Sequence, residues 1–173
     1  MNFTDATGVT NNFLHYLFSQ LNITLNGVNI MQGSEHYHYS SYLETLTIYG
    51  TDAAATYLSN AYWYLDTGDM QPAGPWAEKL TATANRVFIT RCHRLGTSGE
   101  VHLFDRLHIH ICNVLLYLLP GFRLQIRLTK ARPSFYLMNY SVDSKIGFKF
   151  LDAQLLIRRV RPNSEFCCLT IRH

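Results

Sequence analysis

An antiparallel β-sandwich with a short helical insertion is the fold this sequence predicts. Three observations point there. Eleven tyrosines and ten phenylalanines favour pleated, half-buried surfaces. Segments of strict apolar–polar alternation fill the second half of the chain. Helical patterns are confined to one stretch, which argues against alternating βαβ units. A length of 173 residues fits a single domain.

Each element has a local reason. In NNFLHYLFSQLNITLNG, residues 11–27, Phe13, Leu14, Leu17 and Phe18 fit a helical turn. Leu21, Ile23 and Leu25 then alternate with Asn22 and Thr24, as in a half-buried strand. Asn26-Gly27 tolerates the positive φ of a type I′ turn, so residues 18–31 are expected to form a hairpin. His36-Tyr37-His38-Tyr39 also alternates and reads as a strand or sheet edge. SYLETLTIY, residues 41–49, reads as a helix with Ser41 and Glu44 as a capping box and Gly50 at C′. A second short helix is expected over 52–62. A Gly/Pro-bearing loop follows, LDTGDMQPAGPW, extending to about residue 80. Its Asp66 and Asp69 lack calcium-loop spacing and read as turn residues.

Strands dominate the expectation for the remainder. VHLFDRLHIHI (101–111) carries two alternating pieces with a break at Phe104-Asp105. In FRLQIRL (122–128), Phe122, Leu124, Ile126 and Leu128 face one way and Arg123, Gln125 and Arg127 the other. SFYLM (134–138) is a short strand. IGFKFLDAQLLIRRV (146–160) is one long strand, or two joined by a bulge near Asp152.

Composition excludes several classes of function. Apolar residues at 47% against 16% charged supply a core and argue against disorder. A net charge of +3 is too weak to indicate nucleic acid without clustering. Arg123, Arg127, Arg158, Arg159 and Arg161 read as solvated strand faces or as an inter-subunit or nucleic-acid-facing surface, the last weakened by the lack of aromatic interleaving. No apolar stretch has the length of a membrane span. No charged-then-apolar leader is present, so the sequons at Asn2, Asn22 and Asn139 carry little weight. Cys92, Cys112, Cys167 and Cys168 form no C-x-x-C pair, and reduced thiols in an intracellular protein are expected.

Chemistry-bearing motifs are sparse. No P-loop, G-x-S-x-G or dinucleotide fingerprint occurs. Cys92-His93 is adjacent only in sequence, which does not make a nucleophilic pair. In His108-Ile109-His110 both imidazoles share a face if the segment is a strand, so both reach one metal. His102 joins that face if the break at 104–105 keeps register. Cupin-type metalloenzymes add a Glu after three or four intervening residues, where Val114 and Leu115 stand here, and a further His. The expectation is therefore no catalytic residue, no cofactor and no metal. A cupin-like metal-dependent enzyme on His108 and His110 is the alternative.

Six stretches add a resemblance: NNFLHYLFSQLNITLNG, YHYSSYLETLTIYG, WYLDTGDM, RLHIHI, LLPGFRLQIRLTKARPSFYLM and FKFLDAQLLIRRVRP. In this order, over about residues 10–162, the chain resembles the N-terminal part of the major capsid protein of Maverick/Polinton-type elements and adintoviruses. The resemblance implies a double jelly-roll capsid protein that trimerises into a pseudo-hexagonal capsomer. Residues 1–173 are then a single jelly-roll-like domain, incomplete at its N-terminus, with the second jelly roll absent. Ser40 stands where the family tends to carry Arg, and the tail NSEFCCLTIRH departs from the family's continuation.

The motif positions implied to be structural are Asn11, Asn12, Phe13, Leu14, Leu25, Asn26, Gly27, Tyr42, Leu43, Glu44, Tyr49, Gly50, Arg106, Leu107, His108, Arg127, Leu151, Asp152 and Ala153. Implied partners are copies of the same chain and other capsid subunits. No small-molecule substrate or membrane is implied, and nucleic acid enters only as packaged genome. Implied localisation is the virion, or otherwise the cytoplasm or nucleus. A host-exapted binding module on the same fold is a further alternative. A jelly roll lacking its first strands leaves ladder edges open, so self-association or poor solubility is expected.

Overall fold

A computed structural model describes residues 7–31, 36–65, 86–98, 100–113, 117–118, 120–139 and 147–161. Strand β1 (Thr7–Val9) precedes helix α1 (Phe13–Tyr16), which hands directly to β2 (Phe18–Leu25). β3 (Val28–Met31), α2 (Tyr37–Ile48), α3 (Thr51–Ala55) and a 3₁₀ turn (Tyr57–Ala61) follow. Then come α4 (Arg86–Ser98), α5 (His110–Asn113), β4 (Leu124–Lys130), α6 (Pro133–Tyr136) and β5 (Leu137–Asn139). Two antiparallel sheets form, β1–β5 and β3–β2–β4.

The hairpin forms where its turn chemistry places it. Asn26 and Gly27 have φ of 51° and 82°, the left-handed region a type I′ turn requires. The Asn26 side chain also accepts a hydrogen bond from the Arg123 N–H at 2.8 Å, which ties the turn to the start of β4. β2 is the central strand, with Leu21 opposite Leu128 and Ile23 opposite Ile126. Leu21 and Ile23 are fully buried with Tyr37 and Ile109, so α2 and the 107–109 segment cover this sheet face. The handover from α1 to β2 is fixed by the Ala131 N–H, which donates to the Leu17 carbonyl at 2.8 Å. A second core gathers Val9, Phe13, Leu17, Tyr62, Ala131 and Tyr136.

Several expectations need correction. Helices hold more of the described residues than strands do, so the strand-dominated reading of the second half fails. Residues 101–107 alternate between half-buried and exposed, yet 101–109 join no ladder. Residues 147–161 join none either and are exposed apart from half-buried Phe148, with a bend at Leu151 and no strand around Asp152. Residues 133–136 are helical, so only 137–139 of the SFYLM region pairs, with β1. Alternation reports a half-buried extended chain; a ladder also needs a partner strand at about 4.8 Å.

His36–Tyr39 is not a strand: α2 begins at Tyr37. The Ser41–Glu44 capping box is not made either. Ser41 lies inside the helix and donates to the His38 carbonyl at 2.8 Å. Gly50 has φ −85° and serves as N-cap of α3, not as a left-handed C′ residue. The 52–62 helix breaks at Thr56, whose φ and ψ of −109° and −104° leave the helical region. The loop reaching residue 80, with Asp66 and Asp69, lies outside the described residues from 66 on, as do Cys167 and Cys168.

Candidate functional site

A buried polar cluster sits where α1, α2 and the 105–108 segment meet. α1 turns His15 inward, where it is 2% exposed. The His15 Nδ1 lies 3.0 Å from the Tyr37 hydroxyl on α2. Its Nε2 lies 3.2 Å from Asp105 Oδ2. The His108 ring stands edge-to-face against His15, with centroids 4.5 Å apart and planes at 81°. Glu44, one α2 turn beyond Ser41, puts Oε2 3.2 Å from His108 Nδ1. The pair is charged only when the imidazole is protonated. His108 Nε2 lies 3.4 Å from Thr45 Oγ1.

The electrostatics follow from burial. For Asp105, burial pushes the carboxyl up, but the hydrogen bond and charge of His15 and the Arg106 N–H outweigh it. The net effect holds Asp105 below the ordinary carboxylate value. His108 moves down, first because burial disfavours the imidazolium and then because His15 is beside it; Glu44 and Asp105 oppose this only partly. Tyr37 is raised by burial and stays a neutral phenol. His15, Asp105 and His108 each offer one ligand atom, and all three atoms lie within 4.8 Å of one another.

This placement corrects the alternative metal pair. His108 is buried and His110 is exposed. The cause is local: the Ile109 N–H donates to the Leu107 carbonyl at 3.0 Å, a tight three-residue turn. That turn breaks the period-2 alternation, and His110 begins α5. His102 is exposed as well. His15 and Asp105 were not among the sequence candidates. Asp105 had a legible signal: it occupies an inward position of the series Val101, Leu103, Leu107 and Ile109.

The family-motif residues distribute around this centre. Asn11 clamps the chain at Tyr64, donating to its carbonyl at 2.6 Å and accepting from its N–H at 2.8 Å. Asn12 is fully buried at φ 58°, with Nδ2 on Ser41 Oγ at 3.3 Å. Phe13 packs at the centre of its core, and Leu14 is half-buried. Leu25 closes β2 opposite Val28 and Leu124. Tyr42 packs edge-on to Trp63 at 5.0 Å, while Leu43 faces solvent. Arg106 lies over the Tyr49 ring at 5.3 Å and 3.9 Å from Glu44 Oε1. Leu107 packs against the Leu21–Ile23 core. Arg127 is exposed opposite Asn22. Leu151, Asp152 and Ala153 are exposed.

Among the described residues, no helix is long and apolar enough to cross a membrane. Comparison with protein-family models, with curated proteins and with solved structures gave no match for this chain.

Proposed function

We propose that the chain is a capsid-type structural protein, jelly-roll in ancestry, that acts by self-association into trimeric capsomers rather than by catalysis. One observation carries the reading. Residues 147–161 touch the core at Phe148 and then leave it, exposed and outside any sheet among the described residues. Phe148 packs edge-on to Phe13 at 5.2 Å, and Phe150 stacks on Phe18 at 5.8 Å. Lys130 Nζ donates to the Phe148 carbonyl at 2.9 Å. Beyond that anchor Leu155, Leu156, Ile157 and Val160 are all more than half exposed, Leu156 at 73%. Such a segment is strand-like sequence lacking a partner, and an open sheet edge is what it fits.

The rest of the described surface agrees. β3 and β4 flank β2, so each has an outer edge unpaired among the described residues. α2 is inverted: it buries His38, Ser41 and Thr45 and exposes Tyr39, Leu43 and Leu46. Those three recur at i, i+4 and i+7, one stripe of a helix. A second copy of the chain supplies both an edge for the segment and an apolar face for the stripe. The order of motifs that resembles a capsid protein points to the same occupant, and virion localisation follows from it.

Sedimentation at micromolar concentration tests the reading. The chain is expected to run as trimers or larger species. The exposed double change Leu155→Asp with Ile157→Asp is expected to shift it toward monomer without altering its circular dichroism. A wild-type chain that stays a single monomeric species over a hundredfold concentration range overturns it.

A further inference from the structure

We propose that His15, Asp105 and His108 form a buried structural site for a divalent transition cation of the zinc class. The set combines two imidazoles with one carboxylate, the donor types such ions take. Its three ligand atoms lie within 4.8 Å of one another. His15 Nε2 and Asp105 Oδ2 are 3.2 Å apart. Two ligands at about 2.0–2.1 Å from a tetrahedral ion stand about 3.3–3.4 Å apart, so this pair is already spaced as an edge of such a site.

A further feature supports a ligand here. Each histidine also has an oxygen facing its Nδ1: Tyr37 for His15, at 3.0 Å, and Glu44 for His108, at 3.2 Å. Outer oxygens of this sort orient metal-bound imidazoles.

Burial assigns the role. The side chains are 2%, 6% and 1% exposed. A site so enclosed leaves no solvent-facing position for substrate, which marks a structural ion. It would tie α1 to a segment ninety residues later in the chain, on the inner side of α2. The proposal is independent of self-association.

The test is titration of the EDTA-stripped full chain with cobalt(II), followed by competition with zinc(II). One equivalent is expected to bind, with visible bands of a nitrogen–oxygen site and no thiolate charge-transfer band. Zinc is expected to displace cobalt and raise the midpoint of thermal unfolding. Asp105→Asn and His15→Gln are expected to weaken binding by roughly tenfold or more, and His110→Ala to leave it unchanged. Absence of binding at micromolar concentration, thiolate bands, or unchanged affinity in a folded Asp105→Asn chain overturns the site. Should either variant unfold, the cobalt spectrum of the wild-type chain decides.

Discussion

Asn11 and His38 show how single side chains set the conditions of this fold. Asn11 uses both ends of its amide on the Tyr64 backbone, replacing a pair of ladder bonds with a side chain. Two half-buried hydrogen bonds at about 0.5–1.5 kcal/mol each predict that Asn11→Ala costs about 1–3 kcal/mol. Asn11→Asp keeps the acceptor for the Tyr64 N–H and is expected to recover part of that loss; chemical denaturation of the three proteins measures both. His38 is packed between the rings of Tyr16, Tyr39 and Phe135 at 5.4, 4.3 and 4.4 Å. Burial, with His36 nearby and a Phe18 backbone contact opposing, moves its pKa down. The folded state then binds fewer protons than the unfolded state just below the ordinary histidine value. Stability must fall as pH drops through about 6.5 toward 5, and His108 contributes in the same direction. His38→Phe is expected to flatten that slope when unfolding is measured at pH 7, 6 and 5; an unchanged slope rules out His38 as a source.

At the scale of elements, the contact of α4 with β1 is the most sharply constrained. Gly8 sits against the Phe88 ring and the Cys92 sulfur, and a Cβ placed there would lie 2.6 Å from Cys92 Sγ. Arg91 Nε donates to the Val9 carbonyl at 3.0 Å, so the helix also holds the strand by a charged hydrogen bond. Overpacking of this kind costs about 1–3 kcal/mol, and Gly8→Ala is expected to show it in thermal unfolding. Burial pushes the Cys92 thiol up to about 12, so the same contact keeps that sulfur unreactive at neutral pH. Alkylation resolved by mass spectrometry is expected to modify exposed Cys112 well before Cys92. The hairpin is the converse case. Its turn is decided by Asn26 and Gly27 alone, and it forms as the dipeptide dictates.

Among the described residues, polar groups are buried and large apolar ones exposed in number. His15, His38, Ser41, Thr45, Arg91 and His108 lie inside. Leu43, Leu46, Ile48, Leu155, Leu156 and Ile157 lie outside. Under the proposed self-association a second copy would cover these apolar residues. Thermal stability is then expected to rise with protein concentration, a second reading of the sedimentation experiment.

Local chemistry in the sequence determined the α1 turn, the 18–31 hairpin and the alternation of β4, because each depends on near neighbours and on backbone preference. The alternation breaks at Phe104-Asp105 in the sequence, and only the folded chain turned Asp105 inward. Tertiary structure alone decided that 101–109 and 147–161 join no ladder among the described residues. It moved the start of α2 ahead of Ser41, and it separated His108 from His110 through one turn at Ile109. It also brought His15 to Asp105 across ninety residues. Such outcomes depend on partners distant along the chain, and a period of two records only which side chains face inward, not what they face.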